Sequence, residues 1–257
     1  MPRPASSPAP RLGKPPRIFS KDWKPDEAST LTLGRDAARH LVRVLRLQAG
    51  DRVECFNGQG AAAEGTLQEA GRHQVILALE PPRYDPRPQP HITLVQSLIR
   101  PQPLDWLIRK ATELGVSAIQ PVITQRCVAR AAGRPDRWWK AAIAAAEQCG
   151  GNWLPAIRPV QDWATCLRAV TELDAAWVGA LQPPRQTLKE SLQTWSTPPA
   201  RVGIWVGPEG DFTPDELEAA LAAGIVPVSL GDLTLRAETA ALYFITALRY
   251  EWGQTSG

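Results

Sequence analysis

Apolar and polar positions along the chain follow two different rhythms. In the first third the apolar runs are short and broken by glycine turns. "LTL" at 31–33 reads as a strand, and "AGDRVECFNGQGAAAEGTL" and "RHQVILALE" read as further strands. Between them "RDAARHLVRVLRL" has helical spacing that sets Leu41, Val44 and Leu45 on one face. Short strands with a single helix predict a small β-barrel. Beyond residue 90 the rhythm becomes strand, helix, strand. "HITLVQSLI" is followed by "PLDWLIRKATELG", whose Leu104, Leu107, Ile108, Ala111 and Leu114 share a face that stops at Gly115. "AIQPVIT", "AAWVGAL", "RVGIWVG" and "IVPVSLG" read as strands. "PDRWWKAAIAAAEQCGG", "TPDELEAALAAG" and "AETAALYFITALRYEW" read as helices. Alternation of this kind predicts an α/β domain with a mostly parallel sheet covered on both faces.

The two rhythms meet at "PPRYDPRPQP", with five prolines in ten residues, which reads as a connector. The expected organisation is a basic proline-rich tail over 1–16 that is disordered when free, a barrel over 17–82, a linker over 83–90 and the α/β domain over 91–257. The 257 residues, 44% hydrophobic and 21% charged, suffice for two cores. A net charge of +3 does not by itself imply a polyanionic partner. Its distribution says more, because residues 1–21 hold five arginines and lysines and no acid. The four cysteines are widely spaced and form no C-x-x-C, which argues against a zinc site or a disulfide framework. Reduced thiols in a cytoplasmic protein are expected, with Cys149 a small buried residue and not a nucleophile. No apolar stretch has transmembrane length, and the N-terminus lacks an export signal.

Candidate chemistry concentrates in two connections. At "IWVGPEGDFTPDEL" an apolar run ends in Gly207-Pro208-Glu209-Gly210, and a helix signature follows at once: Thr213 and Glu216 have capping-box spacing, with Pro214 at the first helical position. The glycines permit positive φ or close approach of a ligand to bare backbone. The loop lies at the carboxyl end of a parallel strand, where open α/β sheets bind ligands. Alone it reads first as an ordinary β-to-α turn, since no dinucleotide fingerprint or P-loop is present. "LGDLTLRAETA" repeats the arrangement and brings Arg236, Glu238 and Thr239 to one helix start. Two such loops after successive strands point to a shared pocket.

"GPEGDFTPDE" and "LGDLTLRAETAA", with "KATELGVSAIQPVITQRC" and "AAIAAAEQCGGNWLP" upstream, resemble the SPOUT-class 16S ribosomal RNA (uracil-N3)-methyltransferases. The N-terminal "PRIF" and "HLVRVLRLQAGD" resemble that family's RNA-binding domain, so the likeness runs from about Arg17 to Trp252. It implies a PUA-like barrel followed by a SPOUT domain with a C-terminal trefoil knot, a form that pattern alone would never suggest. It implies S-adenosylmethionine as cofactor, no metal, a homodimer, and 16S ribosomal RNA of the 30S small subunit as partner. Carried over by position, cofactor-binding residues are Leu181, Gly207, Pro208, Glu209, Gly210, Leu230, Gly231, Leu235 and Arg236. Arg236 and Glu238 are the catalytic candidates: a guanidinium stabilises the negative charge that develops as uracil N3 loses its proton, and a carboxylate orients the guanidinium or accepts the proton.

The chain departs from the family pattern in three places. Asp211 stands where a second glycine is usual, Gly151 where an arginine is usual, and Leu233 or Thr234 where a basic residue is usual. RNA-binding candidates are Arg17 and the stripe His40, Arg43 and Arg46, which is equally readable as a solvated face. Trp138 and Trp139 read as core or dimer packing before base stacking. Two other functions stay open at this point: a SPOUT ribose 2′-O-methyltransferase acting on transfer or ribosomal RNA, and a non-catalytic RNA-binding protein with a degenerate knot.

Overall fold

Leu31 and Leu33 turn inward while Thr30 and Thr32 face solvent. The structure, a computed structural model, describes residues 14–27, 29–127, 135–182 and 185–253. They form two compact units, one ending at Pro86 and one beginning at Arg87. The basic tail as far as residue 13 lies outside the described residues.

The first unit is a six-stranded curled sheet. Its strands are β1 (Arg17–Phe19), β2 (Thr30–Leu33), β3 (Arg52–Phe56), β4 (Ala61–Ala70), β5 (Val75–Leu79) and β6 (Arg83–Tyr84). The order is β1-β3-β4-β5-β2, with β6 on β4, and only the β1–β3 pair is parallel. Val53, Cys55, Leu67, Val75 and Leu77 are fully buried in its core. The connector expected over 83–90 therefore begins inside this unit. Arg83 and Tyr84 extend along β4, and the Tyr84 hydroxyl donates to Asp26 at 2.6 Å.

The helix expected over 35–47 is only partly α-helical. After α1 (Arg35–Ala38) the chain widens into π-helical turns over Arg39–Val44, with Leu45 N–H donating to His40 O at 3.0 Å. Widening changes which residues share a face. Leu41 stays buried, but Val44, expected beside it, is 61% exposed.

The second unit is an eight-stranded, wholly parallel sheet. It contains β7 (His91–Ser97), β8 (Ala118–Ile123), β9 (Ala156–Ile157), β10 (Gln161–Asp162), β11 (Ala175–Gly179), β12 (Gln186–Thr187), β13 (Arg201–Val206) and β14 (Val226–Ser229). The order is β10-β8-β7-β13-β11-β14-β12, with β9 on β8. Its helices are α2 (Pro101–Glu113), α3 (Pro135–Cys149), α4 (Trp163–Arg168), α5 (Leu188–Gln193), α6 (Pro214–Ala222) and α7 (Ala237–Trp252). The short α4 and α5 carry too few residues for a periodic signal and went unread in the sequence.

Both faces of this sheet are buried, as near-continuous apolar strands require. In β13, Val202, Ile204 and Val206 join the core under α2, α3 and α7, while Trp205 points to the opposite core with Phe212, Ala220 and Ile225. In β11, Trp177 faces the first core and Val178 the second. Cys55, Cys127 and Cys166 are buried free thiols, and burial pushes Cys55 up to about 12 and Cys166 up to about 11. Cys149, expected to be buried, is exposed because it is the last residue of α3, before Gly150 turns the chain at φ 86°.

Candidate active site

The connections that follow β11, β13 and β14 surround one cavity of about 480 Å³ at the carboxyl ends of adjacent parallel strands. Each is held by backbone bonds that the local sequence supplies. After β13, Asp211 N–H donates to Pro208 O at 3.0 Å and closes a turn over Pro208-Glu209-Gly210-Asp211. Thr213 and Glu216 then form the capping box that starts α6. The Glu216 carboxylate is buried, and its second oxygen accepts Gln125 N–H at 2.7 Å. It therefore also fixes the loop after β8. After β14, Gly231 takes φ 123° and Arg236 ends the loop as the residue preceding α7.

Leu181, Gly207, Pro208, Glu209, Leu230, Gly231, Leu235, Arg236 and Glu238 all line this cavity. Gly210 does not. Neither Gly207 nor Gly210 has positive φ; that conformation falls on Asp211, at φ 60°. A Cβ on Gly210 would meet the Arg126 Cβ at 3.2 Å, so its bare backbone accommodates a neighbouring side chain. Arg126 Nη1 donates to Gly210 O at 2.9 Å and to Phe212 O at 3.2 Å.

Glu209 accepts Arg100 N–H at 3.4 Å, at the residue preceding α2, where the helix start favours a carboxylate. Burial raises the Asp211 pKa, opposed by the backbone N–H groups of Phe212 and Leu181 and by the Arg126 guanidinium. The Arg236 side chain is exposed and makes no hydrogen bond or ion pair among the described residues, so no Arg236–Glu238 pair forms; its backbone carbonyl accepts Ala240 N–H at 2.8 Å. Sequence reasoning missed Arg100, Pro103, Arg126 and Arg185. Arg126 lies 84 residues before the loop it clamps, a separation no local pattern reveals.

In the first unit, Arg43 and Arg46 are exposed and His40 is half-buried. Arg46 has φ 56° and sits where the π-helical turns end. Arg17 differs: its side chain is only 9% exposed, its Nε lies 2.6 Å from Glu54, and its guanidinium covers the Phe56 ring at 4.6 Å. Among the described residues no group of three or more His, Cys, Asp or Glu could hold a metal ion, and no helix is long and apolar enough to cross a membrane.

This architecture is that of an RNA methyltransferase. A family model described as an RNA methyltransferase domain matches residues 85–249, and one described as an RNA methyltransferase PUA domain matches residues 33–80. More particularly, the chain belongs to the ribosomal RNA small subunit methyltransferase E family. The protein of that name from Synechocystis sp. is 32% identical over 235 residues, 86% of this chain and 74% of its own. That of Bacillus subtilis is 29% identical, over 88% of this chain and 92% of its own. A solved structure of ribosomal RNA small subunit methyltransferase E from Neisseria gonorrhoeae, bound to S-adenosyl methionine, is 32% identical with a TM-score of 0.83, covering 93% of this chain and 99% of that one.

Proposed function

We propose that this protein methylates N3 of a specific uridine in 16S ribosomal RNA of the small subunit, with S-adenosylmethionine as donor. The observation that carries the reading is the convergence of three strand-end loops on one cavity. Its size falls within the range of small-molecule sites. Its lining also suits the cofactor: Val206, Leu230 and Leu235 offer apolar contact to an adenine, while Glu209, Glu238 and the loop backbones offer acceptors to hydroxyl, ammonium and sulfonium groups. When bound, the cofactor supplies a methyl group already activated by the sulfonium, so the protein's task is alignment and proton handling. Leu181, Gly207 to Glu209, Leu230, Gly231 and Leu235 hold the donor. Gly210 acts through Arg126 instead. Arg236, a guanidinium without a protein partner at the cavity, stabilises negative charge on a uracil carbonyl as N3 loses its proton. Glu238, on the first turn of α7, orients Arg236 in the loaded site or accepts the proton.

RNA contact in the first unit is assigned to His40, Arg43 and Arg46, and Arg17 is left out because Glu54 and Phe56 occupy it. A homodimer is part of the reading. Trp106 on α2 and Tyr243 on α7 are 47% and 48% exposed, although the two helices pack together and Pro103 and Ala240 beside them line the cavity. A second copy would cover these residues. The chain's return from β14, beyond β11, to set α7 against α2, β7 and β13 supports the expected threading of a trefoil knot. The proposed compartment is the cytoplasm, where ribosomal subunits are assembled.

Two measurements test this function. Calorimetry should detect S-adenosylmethionine binding that a chelator leaves unchanged. Small-subunit RNA from cells lacking the protein should be missing one N3-methylated uridine, restored by the purified protein. A ribose methyl missing in its place would move the assignment to 2′-O-methylation.

A further inference from the structure

Arg100 and Arg185 line the same cavity as Arg236, one from the residue preceding α2 and the other from the connection between β11 and β12. Both are exposed. Glu209, Asp211 and Glu238 line the cavity too, yet neither guanidinium forms an ion pair among the described residues. Their anchor points are nevertheless fixed. Arg100 N–H donates to Glu209 at 3.4 Å, and Arg100 O accepts Leu104 N–H at 3.1 Å. Arg185 Nη1 donates to Ala180 O at 2.9 Å, and the buried Ala180 donates its own N–H to Val228 O in β14 at 3.0 Å. One nitrogen of the Arg185 fork is thereby engaged. Its remaining N–H groups, and the whole Arg100 guanidinium, stay available to a ligand.

The substrate's chemistry says which ligand. Uracil N3 lies on the Watson–Crick edge, so methylation there requires the base out of any pair and beside the donor. The base remains joined to its backbone. An Arg236 that reaches the uracil therefore brings the phosphates on either side of that nucleotide to the cavity mouth. A planar guanidinium grips a phosphate bidentately, whereas the cofactor's single carboxylate would occupy one of the two arginines at most.

We propose that Arg100 and Arg185 hold the RNA backbone at the cavity mouth, each taking a phosphate beside the target uridine, and so position the base for Arg236. The inference rests on the function proposed above. It adds a second RNA-contacting surface to that of His40, Arg43 and Arg46.

The test measures binding of small ribosomal subunits from cells lacking the protein across salt concentration, at saturating S-adenosylmethionine. Steady-state methylation and cofactor calorimetry run alongside. Arg100→Gln and Arg185→Gln should each lower the salt-dependence slope by about one, the share of one lost phosphate contact, and the double variant by about two. KM for the subunits should rise about tenfold in each single variant with kcat little changed, because the contact is made equally in the ground state and the transition state. Arg185→Lys should keep the slope, since it keeps the charge. Cofactor affinity should not move. An unaltered slope in both single variants would overturn the clamp. So would a loss of cofactor affinity with the slope intact, which would make these arginines a site for the cofactor's carboxylate. Both of those results leave the proposed function standing; failure of the unchanged protein to bind S-adenosylmethionine or to methylate small subunits would overturn the two together.

Discussion

The carboxylate of Glu209 accepts the backbone N–H of Arg100 at 3.4 Å, joining the loop after β13 to the start of α2 across 109 residues of sequence. Arg100, Pro103 and Glu209 line the same cavity, so this contact holds one wall against another. Glu209→Ala should weaken S-adenosylmethionine binding by about tenfold, on the scale of a carboxylate lost from a helix start together with a hydrogen bond. Glu209→Gln should fall between. Calorimetry decides the matter, and unchanged affinity for Glu209→Ala would make the contact incidental.

Gly210 and Arg126 should behave as a unit. Arg126→Ala removes two hydrogen bonds to the loop backbone and should lower unfolding stability by about 1–2 kcal/mol, measured by urea denaturation. Gly210→Val should weaken cofactor binding by displacing Arg126, since Gly210 faces that side chain and not the cavity. Measured alike by urea denaturation, the stability losses of Arg126→Ala and Gly210→Val should therefore fall short of additivity in the double variant. Full additivity would mean that the two residues act separately.

His91 makes stability sensitive to acid. Burial, then the nearby Arg87, Arg158 and Arg249 guanidiniums, hold its pKa below the ordinary value near 6.5. Protonation is thus easier in the unfolded chain. The neutral-imidazole stability is fully present above the unfolded pKa and is lost as pH falls through it toward the lower folded value. His91→Gln should flatten the fall in urea midpoint between pH 7.5 and 5.5. An unaltered slope would assign that fall to carboxylates alone.

Arg43 and Arg46 test the RNA surface of the first unit. Because Arg46 has left-handed backbone, Arg46→Gly preserves the turn where alanine would strain it. Arg43→Ala with Arg46→Gly should weaken RNA binding and lower the salt-dependence slope by about one per lost phosphate contact, with cofactor affinity unchanged. An unchanged slope would return the stripe to a solvated face.

The major strands and helices were legible because their apolar periods are long and their caps explicit. Pro214, Thr213 and Glu216 start α6 where the sequence placed the start, and α7 runs over the stretch read for it. The winding of 39–44 was not legible. An α-helix and a π-helix can be written from the same apolar residues, so periodicity does not distinguish them. The site was legible as a set of loops, but not in how each loop is fixed. Asp211, which stands where a second glycine is usual, is the residue of that loop with left-handed backbone. Arg126 and Arg100 reach the loop only through tertiary packing.

The central claim is that Arg236 works on charge that appears in the reaction and not on cofactor binding. It precedes α7, whose N-terminal dipole already favours negative charge, and it lines the cavity with no protein partner among the described residues. The direct measurement is single-turnover methylation of small ribosomal subunits by Arg236→Ala across pH, with S-adenosylmethionine affinity determined in parallel. The rate should fall by roughly a hundredfold or more at neutral pH, as for other preorganised charge stabilisers, with cofactor affinity nearly unchanged. It should recover in part as pH rises and more of the uracil is already ionised, and Arg236→Lys should restore only part of it. A variant that turns over normally, or fails only because S-adenosylmethionine no longer binds, would contradict the account and make Arg236 a cofactor-loop residue.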